Sequence, residues 1–234
     1  MRFLFSFLFI VVAGAIIGCS KKASQGQAAE GQPAQNSKGA EVNKTLSAAE
    51  IQALIEKAKT APAVEVASDE VGVIETDLGR IVLELFPSVA PEHCRNFKKL
   101  AGIGFYDGVT FHRVVPGFMI QGGDILSRDA DRSNDGTGDP GYTLPAEFSN
   151  SPHERGTLSM ARKGYSVNTA GSQFFICVAP ATHLNGQYTV WGRVLEGMDV
   201  VDQIVATSGT NEVKQTPDNP VVMNKVRVVK RHEL

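Results

Sequence analysis

The chain has 234 residues, 42% of them hydrophobic, which suits one domain of ordinary size with additional segments. Its 23 basic and 25 acidic residues give a net charge of −2 at pH 7, so the composition gives no sign of the basic face that nucleic-acid binding requires. The cysteines Cys19, Cys94 and Cys177 form no C-x-x-C pair and no cluster with histidine, which argues against a structural zinc site.

The N-terminal segment is strongly apolar. After Arg2, residues 3–17 are interrupted only by Ser6, and this run is shorter than the roughly 20 residues that a membrane-spanning helix needs. A short apolar run behind a charged start is typical of a secretory signal.

The apolar run ends in Ile16-Ile17-Gly18-Cys19, which resembles the bacterial lipobox, where a small residue precedes a cysteine that is lipid-modified. We therefore expect residues 1–18 to be a lipoprotein signal peptide and Cys19 to carry the anchor, since two acyl chains give stable membrane binding. This predicts a bacterial cell-envelope protein facing the periplasm or the cell exterior. An uncleaved anchor and an ordinary signal with a chance cysteine are the alternatives.

Two segments of different character follow. Residues 19–45 are rich in Gln, Ala, Gly, Ser and Lys and have almost no large apolar side chains, which predicts a flexible tether after the lipidated cysteine. Residues 46–61 predict a short amphipathic helix, because Ser47 and Glu50 form a capping box and one helical stripe is apolar: Ile51, Leu54, Ile55 and Ala58.

The main domain is expected over residues 69–232 and is rich in β-type sequence. The runs at 71–76 and 80–86 are joined at Asp77-Leu78-Gly79, which predicts a hairpin. Helices are predicted around residues 90–101 and 198–206, and further strands at 110–115, 118–121, 157–161, 173–179, 189–194 and 221–229. Short strands with glycine turns and two helices predict a mainly β fold, a closed eight-stranded antiparallel β-barrel capped by two α-helices.

Common catalytic motifs are missing from the sequence. There is no G-x-S-x-G elbow, no P-loop, no H-E-x-x-H motif and no dinucleotide fingerprint. The exceptional segment is Phe111-His-Arg-Val-Val-Pro-Gly-Phe-Met-Ile-Gln-Gly-Gly-Asp124, two strand candidates around a Pro-Gly turn. Because alternate residues of a strand share a face, Phe111 and Arg113 are expected to point the same way, as are Met119 and Gln121. One sheet face would then combine a cation, an amide and apolar bulk.

This segment closely resembles the signature F-H-R-[IV]-[IV]-P-G-F-M-x-Q-G-G-D of the cyclophilins. A second block, Gly156–Ala161 followed by Gly171–Cys177, resembles the second signature of that family, and Leu184-Asn-Gly186 and Trp191–Val194 match the next strand pair. The resemblance covers about residues 70–230. It implies an eight-stranded antiparallel barrel with two capping helices and peptidyl-prolyl cis/trans isomerase activity, without a cofactor or a metal.

The resemblance also implies roles for individual residues. The catalytic arginine of the family falls on Arg113, and Gln121 and the adjacent His112 belong to the same catalytic set. We expect His112 to be a structural or pocket-lining hydrogen-bonding residue and not a base. The substrate-binding positions fall on Phe118, Met119, Ala161, Arg162, Gln173, Phe175, His183, Leu184 and Tyr188. Two positions depart from the family: Tyr188 replaces a pocket histidine, and His183 replaces the rim tryptophan that binds the inhibitor cyclosporin. Two extra residues between Ala161 and Gly171, and a long stretch from Ile125 to Arg155, also depart from the shorter eukaryotic form.

Several alternatives remain open on the sequence alone. The expected partners are proline-containing polypeptides such as unfolded exported proteins, and no nucleic acid is expected among them. We expect the protein to be a monomer. Two other functions remain possible: a proline-binding module without turnover, and a purely structural envelope lipoprotein. A pure binding module would bind proline peptides without accelerating their cis/trans exchange. A structural lipoprotein would not need an arginine among apolar pocket residues. Cys94 and Cys177 are either a disulfide or, as we expect, two buried free thiols.

Overall fold

The computed structural model describes residues 45–207 and 215–234. The predicted signal peptide, Cys19 and nearly all of the tether therefore lie outside the described residues. None of the helices within the described ranges is long and apolar enough to cross a membrane.

Helix α1 (Ala48–Thr60) precedes the main sheet and has the predicted capping box. The backbone N–H of Ser47 donates to Glu50 Oε2 at 2.8 Å, and the Glu50 N–H donates to Ser47 Oγ at 3.3 Å. Ile51 and Ala58 are buried, while Leu46 N donates to the Arg128 carbonyl at 2.8 Å. The helix prediction is thus confirmed, and the helix packs on the segment Ile125–Arg128.

Within residues 45–207 and 215–234, the other regular elements are eight strands and two further helices. The strands are β1 (Glu70–Thr76), β2 (Gly79–Leu85), β3 (Arg113–Val115), β4 (Met119–Gly122), β5 (Thr157–Met160), β6 (Phe174–Cys177), β7 (Val190–Glu196) and β8 (Lys225–Lys230). Helix α2 (Pro91–Gly102) follows β2, and α3 (Met198–Thr207) follows β7. Short 3-10 turns lie at Ile125–Arg128, Arg132–Asn134, Thr182–Leu184 and Arg231–Glu233.

The eight strands form one antiparallel sheet in the order β3-β4-β6-β5-β7-β2-β1-β8. The predicted closed barrel is wrong: β3 and β8 are the edges of an open half-barrel, and three helices accompany it in the part of the chain that the structure describes. Between those edges, within the described ranges, the chain makes an isolated bridge from Thr110 to Val222 instead of a continuous ladder. Pro217 and Pro220 lie in the segment before β8, and proline has no N–H to donate to a ladder.

The sheet separates a large core from a smaller apolar cluster. Phe97 of α2 packs against Trp191 and Tyr106, with ring centroids 5.0 and 5.4 Å apart, in the large core. Val114, Ile120 and Ile176 point into that core. Their neighbours in sequence point to the opposite face, where a second cluster contains Met119, Phe175, Cys177, Ala181 and Leu184. This second face carries the candidate site.

The two cysteines of the domain are unpaired thiols. Cys94 and Cys177 are both buried and free. Burial raises the pKa of each thiol to about 12, so both are protonated at neutral pH. The structure therefore contains the two free thiols and not the disulfide alternative.

Candidate active site

The site is built on the β3–β4 hairpin and its neighbour β6. The register pairs Arg113 with Gln121, and Gln121 with Phe175 across the next ladder. Met119 lies two residues before Gln121 on β4 and pairs with Cys177 of β6. Because directly paired residues of antiparallel strands project to the same side, the cation, the amide and two apolar side chains share one face. This arrangement was predicted for Arg113, Met119 and Gln121 and is confirmed by the register.

Phe111 is the exception to that prediction. It is fully buried in the large core, on the other side of the sheet from the Arg113 side chain. Strand β3 begins only at Arg113, so strict alternation does not extend back to Phe111. The residues that precede the strand follow the irregular path of the loop.

A cavity of about 210 Å³ opens on this face of the sheet. All of its lining residues are among the candidates named from the sequence: Arg113, Phe118, Met119, Gln121, Ala161, Arg162, Phe175, Leu184 and Tyr188. The sequence candidates His112, Gln173 and His183 do not line it. A second cavity, of about 150 Å³, shares Gln121, Ala161 and Arg162 with the first, so the two form neighbouring parts of one groove.

The floor of the first cavity is apolar. Met119 and Phe175 expose 1% and 5% of their surface, and Leu184 exposes 9%, so little of the floor is accessible to water. Tyr188 packs edge-on against Phe175 with ring centroids 5.9 Å apart. Behind the floor, His153 stacks on Phe175 at 6.1 Å. A rigid apolar floor of this size is suited to a small saturated ring.

The His153 ring is itself fixed by hydrogen bonds. Its Nε2 lies 2.9 Å from Ser159 Oγ, and its Nδ1 lies 3.1 Å from Asn185 Oδ1. Burial lowers the pKa of His153, which favours the neutral ring. His153 therefore supports the floor as a neutral packing residue.

The Arg113 guanidinium is held by amide oxygens. Nη1 donates to Gln121 Oε1 at 3.2 Å, while Nε and Nη2 donate to Gln215 Oε1 at 2.9 and 2.6 Å. Among the described residues no carboxylate forms an ion pair with it. Burial lowers the pKa of Arg113 below its ordinary value, and Tyr188 partly offsets this, but arginine remains charged at neutral pH. The cavity thus contains a half-buried guanidinium whose charge is uncompensated within the described chain.

Gln121 connects Arg113 to a glycine-rich loop through a second glutamine. Gln121 Nε2 donates to Gln173 Oε1 at 2.9 Å, and Gln173 Nε2 donates to the carbonyls of Gly136 and Gly138 at 3.0 and 2.8 Å. Position 138 of this loop requires glycine, because a Cβ there would lie 2.0 Å from an oxygen of the buried Asp124. Gln173 therefore supports the site from outside the first cavity.

His112 and His183 lie outside the lining of the first cavity. His112 is 3% exposed and lies next to Gly136, away from the cavity lining. Burial lowers its pKa, Asp124 raises it and Arg113 lowers it. His183 is exposed at the rim, with its ring 5.7 Å from the Phe118 ring and tilted by 37°. Neither side chain reaches into the floor of the cavity.

The charged groups of Arg162 and Lys163 both make contacts within the protein. The Arg162 guanidinium lies over the Tyr188 ring, 4.5 Å from its centroid, and Nε donates to the Gln187 carbonyl at 3.3 Å. Lys163 Nζ pairs with Asp139 Oδ2 at 3.1 Å. Both cations lie along the groove, but the charge of Lys163 already has a partner.

Gln215 is the residue of the site that the sequence did not indicate. It lies 102 residues from Arg113, in an irregular segment, and belongs to no motif. Its φ of 56° makes it the one non-glycine residue with a left-handed backbone in the described part of the chain. An unusual backbone angle of this kind is visible only in a structure.

Comparisons with known proteins show the family to which the chain belongs. A family model described as cyclophilin type peptidyl-prolyl cis-trans isomerase/CLD matches residues 71–228. A probable peptidyl-prolyl cis-trans isomerase of Brucella suis biovar 1 is 49% identical over 146 residues, which cover 60% of this chain and 74% of the relative. Peptidyl-prolyl cis-trans isomerase B of Bacillus subtilis is 50% identical over 125 residues, covering 53% of this chain and 81% of the relative.

Solved structures show the same fold. A cyclophilin-type isomerase of Cryptosporidium parvum, crystallised in the presence of the dipeptide Ala-Pro, has a TM-score of 0.62 and 29% identity. The match covers 68% of this chain and 99% of that one. The chain therefore belongs to the cyclophilin-type peptidyl-prolyl cis-trans isomerases, and isomerisation of peptidyl-prolyl bonds is its activity.

Proposed function

We propose that this isomerase acts on Xaa-Pro bonds of exported proteins in the bacterial cell envelope, where a lipid on Cys19 anchors it to a membrane. The catalytic part of the proposal rests on one observation, that the Arg113 guanidinium and an apolar floor share one cavity. The location rests on the apolar run that ends at Cys19 and on the polar residues 19–45 that follow it. In this arrangement the domain works as a monomer at the end of a tether.

The energetic problem is the partial double bond of the amide. Rotation about a peptide C–N bond has a barrier of about 18–20 kcal/mol, and uncatalysed Xaa-Pro exchange takes tens to hundreds of seconds. In the twisted state the prolyl nitrogen regains its lone pair. A catalyst needs no nucleophile, since it only has to bind the twisted amide better than either planar form.

The apolar floor holds the proline ring still while the peptide bond rotates. A proline ring seated on Met119, Phe175 and Leu184 is held while the preceding carbonyl turns. The Cryptosporidium structure crystallised with Ala-Pro supports proline-containing peptides as ligands of this class of cavity. Ala161 and Arg162 line the same cavity, and we assign them to contact with the peptide backbone.

Arg113 supplies hydrogen bonds that are stronger to the twisted transition state than to the planar ground states. A guanidinium has five N–H groups, and the bonds to Gln121 and Gln215 use three, which leaves two for the substrate. These can donate to the prolyl nitrogen lone pair or to the rotating oxygen. Each tenfold rate increase requires about 1.4 kcal/mol of such differential stabilisation. In our mechanism Gln121 orients the guanidinium, and His112 stays neutral behind the strand.

The catalytic proposal is tested with Arg113→Ala in the full-length chain. One charge-assisted hydrogen bond in a desolvated site is worth about 3–4 kcal/mol, so we expect turnover on a proline peptide to fall by about a hundredfold or more. Arg113→Lys is the matched control, because lysine keeps the charge but lacks the fork, and it should recover only part of the loss. Circular dichroism should show a native fold in both variants. Near-normal turnover in folded Arg113→Ala would rule out the mechanism.

The location is tested with Cys19→Ser in the native host. The wild-type chain should take up radioactive palmitate and fractionate with membranes, whereas Cys19→Ser should do neither. Deleting the gene should slow proline-limited folding of exported proteins, and the Arg113→Ala chain should not restore it. A wild-type chain that is unlabelled and soluble would exclude the anchor without touching the catalytic proposal.

A further inference from the structure

Two of the three hydrogen bonds that hold the Arg113 guanidinium end on one atom. Nε and Nη2 both donate to Oε1 of Gln215, at 2.9 and 2.6 Å. The third bond, to Gln121, is longer at 3.2 Å. We propose that Gln215 is a positioning residue of the isomerase, whose amide oxygen fixes the plane of the guanidinium against the apolar floor. This inference rests on the role proposed above for Arg113.

The Gln215 amide can face the guanidinium in only one way. Every polar hydrogen of arginine is a donor, so the partner must present its oxygen and turn its NH₂ group away. An oxygen that accepts from Nε and Nη2 together lies in the guanidinium plane and opposes rotation about the last side-chain torsions. The remaining N–H groups then keep a constant direction towards the cavity, which is what positioning of a catalytic group requires.

The backbone that carries Gln215 is unfavourable for glutamine. Its φ of 56° lies in the left-handed region, which side chains with a Cβ adopt at a cost and which glycine adopts freely. Val114 N donates to the Gln215 carbonyl at 3.0 Å, which ties the residue to β3 directly beside Arg113. A strained residue that persists in a structure is held by its surroundings, and such residues cluster at functional sites.

The chain just after Gln215 is held by a second arginine. Arg132 Nη2 donates to the Pro217 carbonyl at 3.0 Å, and its Nη1 donates to the Asp218 carbonyl at 3.3 Å. Arg132 also lies 3.3 Å from Asp135 in an ion pair. Gln215 is thus fixed on one side by the strand that carries Arg113 and on the other by the loop that supports Gln173. Both glutamine contacts of Arg113 therefore depend on the same loop.

The test separates the side-chain oxygen from the backbone conformation. Gln215→Ala and Gln215→Gly both remove the acceptor, but glycine also relieves the left-handed strain, so Gln215→Gly should melt at a higher temperature than Gln215→Ala. We expect both full-length variants to lose about tenfold in kcat, with KM changed less than about twofold, because a misdirected guanidinium weakens the transition state and not substrate binding. If the residue only shaped the loop, glycine would restore kcat along with stability.

Two further measurements report directly on the Arg113 guanidinium and its coupling to Gln215. The Arg113 Nε–H, observed by ¹⁵N NMR, should exchange with solvent faster in both variants than in the wild type. In an Arg113→Ala background, Gln215→Ala should change kcat less than about twofold, because residues that act as a unit are non-additive. Wild-type protection of the Nε–H in Gln215→Ala would overturn the inference, as would a full additional loss in the double variant.

The controls distinguish this inference from the proposed function. If Arg113→Ala is inactive while Gln215→Ala and Gln215→Gly keep wild-type kcat, Gln215 has no positioning role and the role of Arg113 stands. If Gln215→Gly alone recovers wild-type kcat, the residue is structural and the inference is wrong. If folded Arg113→Ala keeps its turnover, the role of Arg113 fails and the positioning role of Gln215 fails with it.

Discussion

Gln121 on β4 donates its side-chain N–H to Oε1 of Gln173, which lies 2.9 Å away and immediately precedes β6. This bond fixes the direction of both amides, because the Gln173 NH₂ group must then face the carbonyls of Gly136 and Gly138. The hydrogen-bonded chain runs from a surface loop to the guanidinium of Arg113. A change at its outer end should therefore be felt in the cavity.

We predict that Gln173→Glu is worse than Gln173→Ala. The glutamate places an acceptor where two carbonyl oxygens lie 2.8 and 3.0 Å away, whereas alanine leaves space for water. The free energy of unfolding should fall by about 1–3 kcal/mol in Gln173→Glu and by less in Gln173→Ala. Turnover should fall in the same order. Urea unfolding and proline-peptide exchange check this, and a Gln173→Glu chain as stable as wild type would contradict it.

The catalytic face was predictable because its information is local. Arg113, Met119 and Gln121 lie within nine residues of one another, around a turn that dictates the register. Because alternate residues of a strand point to the same face, their side chains then share one side of the sheet. Phe111 was placed wrongly because the strand begins after it. The sequence pattern indicates that a strand exists, but where it begins depends on packing of the large core around Phe111.

Gln215 and the open edge of the sheet were not predictable for a related reason. The contact of Gln215 with Arg113 spans 102 residues and depends on a left-handed backbone angle at a glutamine, which no residue preference indicates. The closed barrel was expected from a count of strands. Closure needs continuous donors on both edges, and Pro217 and Pro220 interrupt the segment that would supply them.

The groove predicts a modest preference for acidic residues N-terminal to the Xaa-Pro bond. Arg162 lines both cavities, and Lys163 lines the second, but Asp139 already pairs with Lys163. Exposed ion pairs are worth about 0–1 kcal/mol and are screened by salt. Glu-bearing peptides should therefore be isomerised up to a few-fold faster than Lys-bearing ones at low salt, and equally at high salt.

Two variants test which cation is responsible. Arg162→Gln should remove most of the preference, because Arg162 is the cation without a carboxylate partner among the described residues. Asp139→Asn should strengthen the preference by releasing Lys163. Rates measured on matched Glu and Lys peptides decide it, and equal wild-type rates at low salt would disprove the preference.

Buried histidines predict a loss of stability in mild acid. Burial lowers the pKa of His93, His112 and His153 below the ordinary value of 6.5, although Glu147 partly opposes this at His93. In the unfolded chain each imidazole regains that ordinary value, so as the pH falls below about 6.5 the unfolded state binds more protons than the folded state. The free energy of unfolding should therefore decrease from pH 7 to pH 5.

Urea unfolding across that pH range measures the predicted slope. Histidine titration by NMR gives an independent check, since these three imidazoles should titrate below 6.5 in the folded chain. A free energy of unfolding that is constant from pH 7 to pH 5 would contradict the prediction. So would imidazole pKa values at or above 6.5, because a raised pKa stabilises the folded state in acid.

His183 predicts weak inhibition by cyclosporin with nearly normal catalysis. In the drug-sensitive cyclophilins a rim tryptophan packs on the drug and donates an indole hydrogen bond, whereas His183 offers less apolar area and a different donor direction. The difference is worth about 2–3 kcal/mol, or roughly a hundredfold in affinity. Turnover should be spared, because His183 contacts Phe118 at the rim and does not line the cavity. His183→Trp should restore tight inhibition while changing turnover only a few-fold. A cyclosporin titration of the wild-type enzyme checks the prediction, and inhibition at low-nanomolar concentration would show that the rim residue is unimportant here.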